Sequence, residues 1–174
     1  MISRFVLLLV LGTVACAAPP VPPTPTDEFW TRLTAPCDKA FEGRIVEVPA
    51  GDTAFTNRAL VMHARACGAD SIRIPFQIAT DRSRTWVITR SEGGLRLRHD
   101  HRHGDGSPGA MEFPADSFTA ALIPLARTNV WSLEVDPDRR RLSYALRREG
   151  TDRRLRVEFD LGRAVPAPPP PWGS

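Results

Sequence analysis

From Lys39 onward the apolar residues recur at every second position, the period of a half-buried strand. "SIRIPFQIA" places Ile72, Ile74, Phe76 and Ile78 on one face, with Arg73, Pro75 and Gln77 on the other. "KAFEGRIVEV" (Lys39–Val48) and "RALVMHARAC" (Arg58–Cys67) read as strands. "RTWVITR" and "LRLRHDHRH" flank "SEGG", a hairpin signal. "NVWSLEVD", "RRLSYALRR" and "RRLRVEFDL" follow, joined by the turn chemistry of "PDR" and "EGTD". Two segments break this rhythm. "TDEFWTRLT" predicts a short helix with Asp27 as N-cap and Phe29, Trp30 and Leu33 on one side. "FPADSFTAALIPLA" predicts a short helix or an irregular crossing. About eight strands on short turns imply a mainly β, antiparallel up-and-down meander. Such a sheet hides its edges by forming a small, calycin-like β-barrel or a sandwich, and the barrel is the favoured reading.

The ends of the chain follow other rules. Arg4, the apolar run Phe5 to Leu11 and "GTVAC" have the layout of an export signal: charge, short apolar core, small residues at the cut. The run is too short for a spanning helix, which needs about 20 residues. "TVAC" resembles the lipobox of bacterial lipoproteins, with Thr13 where Leu is commonest. That resemblance implies a lipid on Cys16 and a periplasm-facing protein anchored in the outer membrane. The alternative is simple secretion after a cut at Ala17 or Ala18. Cys37 and Cys67 remain as an even pair under either cut and predict a disulfide in an oxidising compartment. The expected organisation is a signal over 1–15, a proline-rich tether over 16–26, one β-rich domain over 27–163 and a proline-rich tail over 164–174. Trp172 in that tail docks on the domain, meets a partner that reads polyproline, or lies loose.

Charge adds little to this picture. The formal net charge is +3, Lys39 is the only lysine, and Asp and Glu are mixed among the arginines. The basic runs at Arg139–Arg141 and Arg153–Arg154 fall at expected turns, so a solvated surface explains them and no nucleic-acid footprint is read.

The candidate chemistry lies in "LRLRHDHRHGDG". Three of the four histidines, His99, His101 and His103, sit at alternate positions. Strand alternation puts them on the face of Leu95 and Leu97, with Arg96, Arg98, Asp100 and Arg102 on the other. Same-face neighbours on a strand lie about 6.6 Å apart, so two imidazoles reach one ion and three do not unless the strand bends. A metal site would therefore use two of these histidines plus a ligand such as Asp105, Glu112 or His63, and zinc or copper suits imidazole. The competing readings are a proton-sensitive histidine and a polar rim closing the barrel mouth. Trp86, Trp131, Phe76 and Tyr144 line a small-molecule cavity or simply pack the core. The Asp81–Arg84 run grips an anion or is only a turn.

Standard enzyme signatures are absent. "DGSPG" lacks the first glycine of a nucleophile elbow, and Pro108 removes an N–H that an oxyanion hole needs. "HDHRHGDG" departs from the HxHxDH run of metallo-β-lactamase-like hydrolases by its misplaced acid. There is no phosphate loop and no dinucleotide fingerprint. The stretch from "IRIPFQIATDRSRTWVITR" through "HDHRHGDGSP", with "FPAD" and "VEFDL", resembles a family of uncharacterised secreted bacterial proteins; the resemblance implies no activity and no site residues. The leading expectation is a non-enzymatic envelope lipoprotein that binds a small ligand or a metal ion at the histidine-lined end. The alternatives are a metal-dependent hydrolase with Asp105 or Glu112 as base, and a structural or assembly lipoprotein that binds another envelope protein.

Overall fold

Alternation in the sequence becomes a single antiparallel sheet in the computed structural model, which describes residues 22–53, 55–109, 113–115 and 129–174. Helix α1 (Pro25–Thr34) comes first. The strands are β1 (Lys39–Glu47), β2 (Leu60–Ala64), β3 (Ser71–Ile78), β4 (Asp81–Ser91), β5 (Gly94–His101), β6 (Phe113–Ala115), β7 (Asn129–Asp136), β8 (Arg141–Arg148) and β9 (Arg154–Val165). Their order in space is β6-β5-β4-β3-β2-β1-β9-β8-β7. Every pair of strands consecutive in sequence is bonded except β6 and β7, and the first strand pairs with the last. The sheet curls into a half-barrel whose open side, among the described residues, runs between β6 and β7. Cys16, the signal segment, Glu112 and most of "FPADSFTAALIPLA" lie outside the described residues.

The inner face is the predicted apolar one. Ile72, Ile74, Phe76 and Ile78 are all buried, as are Trp86, Ile88, Leu142, Tyr144, Val157 and Phe159. Across the sheet Ile74 faces Trp86, and Trp86 faces His99. Phe76 meets the Trp86 ring at 5.3 Å and stands edge-on to Phe159 at 5.7 Å, and Trp86 reaches Tyr144 at 4.2 Å. β1 bulges where it passes β9 between Phe41 and Gly43. Gly43 is required there, because a Cβ would stand 2.6 Å from the Phe159 ring.

Three sequence expectations shift. The N-cap of α1 is Thr24, and Asp27 is the third residue of a capping box, returning a carboxylate to the Thr24 N–H at 2.8 Å. The helix thus takes in Pro25 and Thr26, which the sequence reading assigned to the tether. The Asp81–Arg84 run is not a turn: it opens β4, and the reversal is made at residues 79–80, with Ala79 at φ 51°. The last strand continues to Val165, past the expected domain boundary.

Two devices hold one end shut. Trp30 and Leu33 of α1 are buried in the common core, and Asp27 forms an ion pair with Arg90 near the β4–β5 turn. Cys37 and Cys67, 30 positions apart in the sequence, form the expected disulfide, with Cα atoms 6.3 Å apart. It ties the turn after α1 to the segment after β2, closing a loop worth about 3–4 kcal/mol on the chain-entropy account.

Candidate functional site

The opposite end of the half-barrel carries the histidines. On β4, Arg90 marks the helix end, and Arg84, six residues earlier and so about 20 Å away along an extended strand, marks the other. Arg84 faces both Phe76 of β3 and His101 of β5 in the sheet register. The row Phe76–Arg84–His101 therefore borders the row Ile74–Trp86–His99 on the inner face.

His99 lies against aromatic rings. Its ring is 6.0 Å from that of His101 and 6.3 Å from Trp131 of β7, and Trp131 stacks on Tyr144 at 5.4 Å. β5 and β7 are not bonded neighbours, so the curl of the sheet brings these groups together. Nε2 of His99 is buried with no hydrogen-bond partner among the described residues. Burial drives the pKa of this imidazole down to about 4, helped by His101 and by the positive charge of Arg84. His101 is also lowered, by burial first and then by Arg84, with Asp81 acting the other way. Both rings are thus neutral at pH 7, each with one N–H donor and one bare acceptor nitrogen. Arg84 pairs with Asp81 and also donates to Ser83 Oγ at 3.1 Å. Burial raises the Tyr144 phenol far above its ordinary range.

The other predicted ligands are elsewhere. His103 is exposed beyond the end of β5, where its N–H donates to the Ser107 carbonyl at 2.9 Å. The Asp105 carboxylate accepts from the Ser107 N–H at 2.9 Å and from its hydroxyl at 2.7 Å. His63 follows Met62, whose side chain fills the core, and so projects from the outer face of β2. The structure thus brings His99 and His101 together; His103 is near enough for its charge to lower the His101 pKa but is exposed beyond the strand, Asp105 is engaged with Ser107, and His63 is on the outer face. Among the described residues no group of three or more His, Cys, Asp or Glu side chains could hold a metal ion.

Arg84 is the residue that the sequence reading missed as part of this end. The signal was available: Arg84 opens the "RTWVITR" strand two positions before Trp86, on the same face. Trp86, Phe76 and Tyr144 are buried against one another as core, which leaves half-buried Trp131 as the aromatic beside the histidines.

A cleft of about 340 Å³ lies on the outer side of β1, β8 and β9. Arg44, Arg141 and Arg163 line it, matched by Glu42, Glu158 and Asp160. Glu158 already takes Arg44 at 2.7 Å and Arg141 at 2.9 Å, so this cleft is an internally neutralised ion-pair network. No helix among the described residues is long and apolar enough to cross a membrane. No protein-family model, curated protein or solved structure matches this chain.

Proposed function

We propose that this chain is an exported binding protein, tethered by lipid at Cys16, whose half-barrel takes a small planar organic molecule at the histidine-bearing end. The observation that carries the reading is the partnerless, buried Nε2 of His99 beside the Trp131 ring. A buried polar atom without a partner costs about 1–3 kcal/mol, and a ligand that hydrogen-bonds it recovers that cost. The neighbours set the ligand class. Neutral imidazoles and an indole face suit an aromatic body, and Arg84 suits a carboxylate or other anionic edge. A metal ion would find two imidazoles and no third protein ligand among the described residues, so the organic ligand is favoured. Val46 is the one large apolar side chain exposed among the described residues, so no apolar patch favours a protein partner. Export is supported by the Cys37–Cys67 disulfide, which belongs to an oxidising compartment and leaves Cys16, of the three cysteines, for lipid.

The test is a panel of planar aromatic carboxylates titrated against intrinsic tryptophan fluorescence. Trp131 and Trp86 report on the site directly. Saturable quenching with micromolar affinity, lost in His99→Leu and weakened in Arg84→Met, is expected. Failure of every panel member to bind below millimolar concentration, with nothing co-purifying in native mass spectrometry, would sink the proposal.

A further inference from the structure

The proline-rich segment after β9 is docked on the domain. Val165, Pro168 and Pro171 are partly covered, whereas Pro166, Ala167, Pro169 and Pro170 are exposed. This threefold period is what a polyproline II helix shows when one of its ridges lies on a surface. Its end is fastened to the histidine-bearing end of the half-barrel. The Arg82 guanidinium donates to the Pro170 carbonyl at 2.8 Å, and the Trp172 N–H donates to the Arg82 carbonyl at 3.1 Å. Gly173 (φ 75°) then lies directly on Gly106 (φ 84°): a Cβ on Gly173 would stand 2.7 Å from the Gly106 carbonyl oxygen.

Gly106 belongs to the loop that leaves β5. Its N–H donates to the His103 carbonyl at 2.9 Å, and the Gly109 N–H donates to the His101 carbonyl at 2.8 Å. Gly109 is packed so closely on the His101 ring that a Cβ there would stand 2.7 Å from Nδ1. One unbroken line of contacts therefore runs from the tail, through the loop, to His101. A polyproline segment is already extended when free, so docking it costs little order. Few contacts suffice to hold it, and losing few releases it.

We infer that residues 166–174 form a releasable strap that closes the loop 102–109 over His101 and so sets access to the histidine-bearing end. Its consequence for ligand binding rests on the function proposed above; the strap itself does not.

The experiment compares the full exported protein with two variants, one ending at Val165 and one carrying Gly173→Val. The second keeps the whole tail but places a β-branched residue at positive φ against the Gly106 carbonyl. Two readouts need no ligand: amide hydrogen exchange, and carbethoxylation of His101 by diethyl pyrocarbonate. In both variants we expect exchange at Gly106 and Gly109 to rise at least tenfold and His101 to react at least fivefold faster, with β1 and β9 unchanged. Unchanged exchange and reactivity in both variants overturn the strap. Faster exchange throughout β1 and β9 also overturns it, since the tail would then be part of the folding core. Opening of the loop with no aromatic carboxylate bound by any variant supports the strap and refutes the ligand reading.

Discussion

His99 and Asp100 are adjacent on one strand and meet opposite fates. Asp100 points outward yet is only 7% exposed, and it is fully occupied: Arg102 Nε donates at 2.8 Å and Arg73 at 3.1 Å. Burial alone would raise its pKa, but the bonds from Arg102 and Arg73 outweigh that and hold it below the ordinary carboxylate range. His99 points inward and gives up its charge, and one of its nitrogens has no partner among the described residues. The outer carboxylate is built for stability, because the Arg73 guanidinium crosses from β3 and ties the two strands together, while Arg102, two residues on, closes the pair from the same segment. The inner imidazole is held at a cost, which the ligand proposed above would recover.

Four measurements would break or sharpen that contrast. The largest effect is expected for Asp100→Ala, which leaves Arg73 and Arg102 facing each other over a buried gap. A loss of about 3–4 kcal/mol in chemical denaturation is expected, moderated by the partial exposure of both guanidinium groups. A loss below about 1 kcal/mol would mean that the outer network is ornamental.

The next effect is pH dependence. The unfolded chain protonates His99 near 6.5, and the folded chain resists until about 4. The stability linked to this group is therefore intact above pH 6.5 and lost as pH falls towards 4. It falls by about 1.4 kcal/mol per unit, for a total of about 3 kcal/mol. Asp100, with its lowered pKa, acts only below that window. A stability profile flat from pH 6.5 to 4 would show that His99 is not held neutral by burial.

The third change is smaller and opposite in sign. His99→Leu should stabilise the domain by about 1 kcal/mol, by removing an unpartnered polar atom, and should flatten the acid slope. Destabilisation on melting would reveal a partner for the ring within the fold. The smallest effect is expected for His103→Ala, under about 0.5 kcal/mol and without effect on ligand binding, since that side chain is exposed beyond the strand. A clear loss of ligand there would restore the three-histidine site.

Much of the fold was legible because strand geometry is local. Ile72, Ile74, Phe76 and Ile78 alternate in the sequence and are buried in the fold, and β7 spans the "NVWSLEVD" run from end to end. The inward aim of His99 and His101 followed from the same count. Errors arose where a local rule met a neighbour the sequence does not show. Asp81–Arg84 has turn-forming residues, yet pairing with β3 extends β4 over it. Asp27 is a good cap by type, but Thr24 lies three residues before it and the two form a box. Alternation puts Arg98, Asp100 and Arg102 on one outer face, but it does not show that Arg73 of β3 supplies a second clamp on Asp100.

By itself, the sequence determined which side of each strand is apolar, where the short turns fall, and that Cys37 and Cys67 make a pair. Those properties depend on a two-residue period, on turn-forming residues and on parity, none of which needs distant contacts. Tertiary structure alone decided that β1 closes on β9, that Trp131 meets His99, that Arg84 lies opposite His101, and that the tail returns to Gly106. Each of these joins residues far apart in the chain. Strand order and sheet curl, set by burial of the whole inner face at once, bring them together.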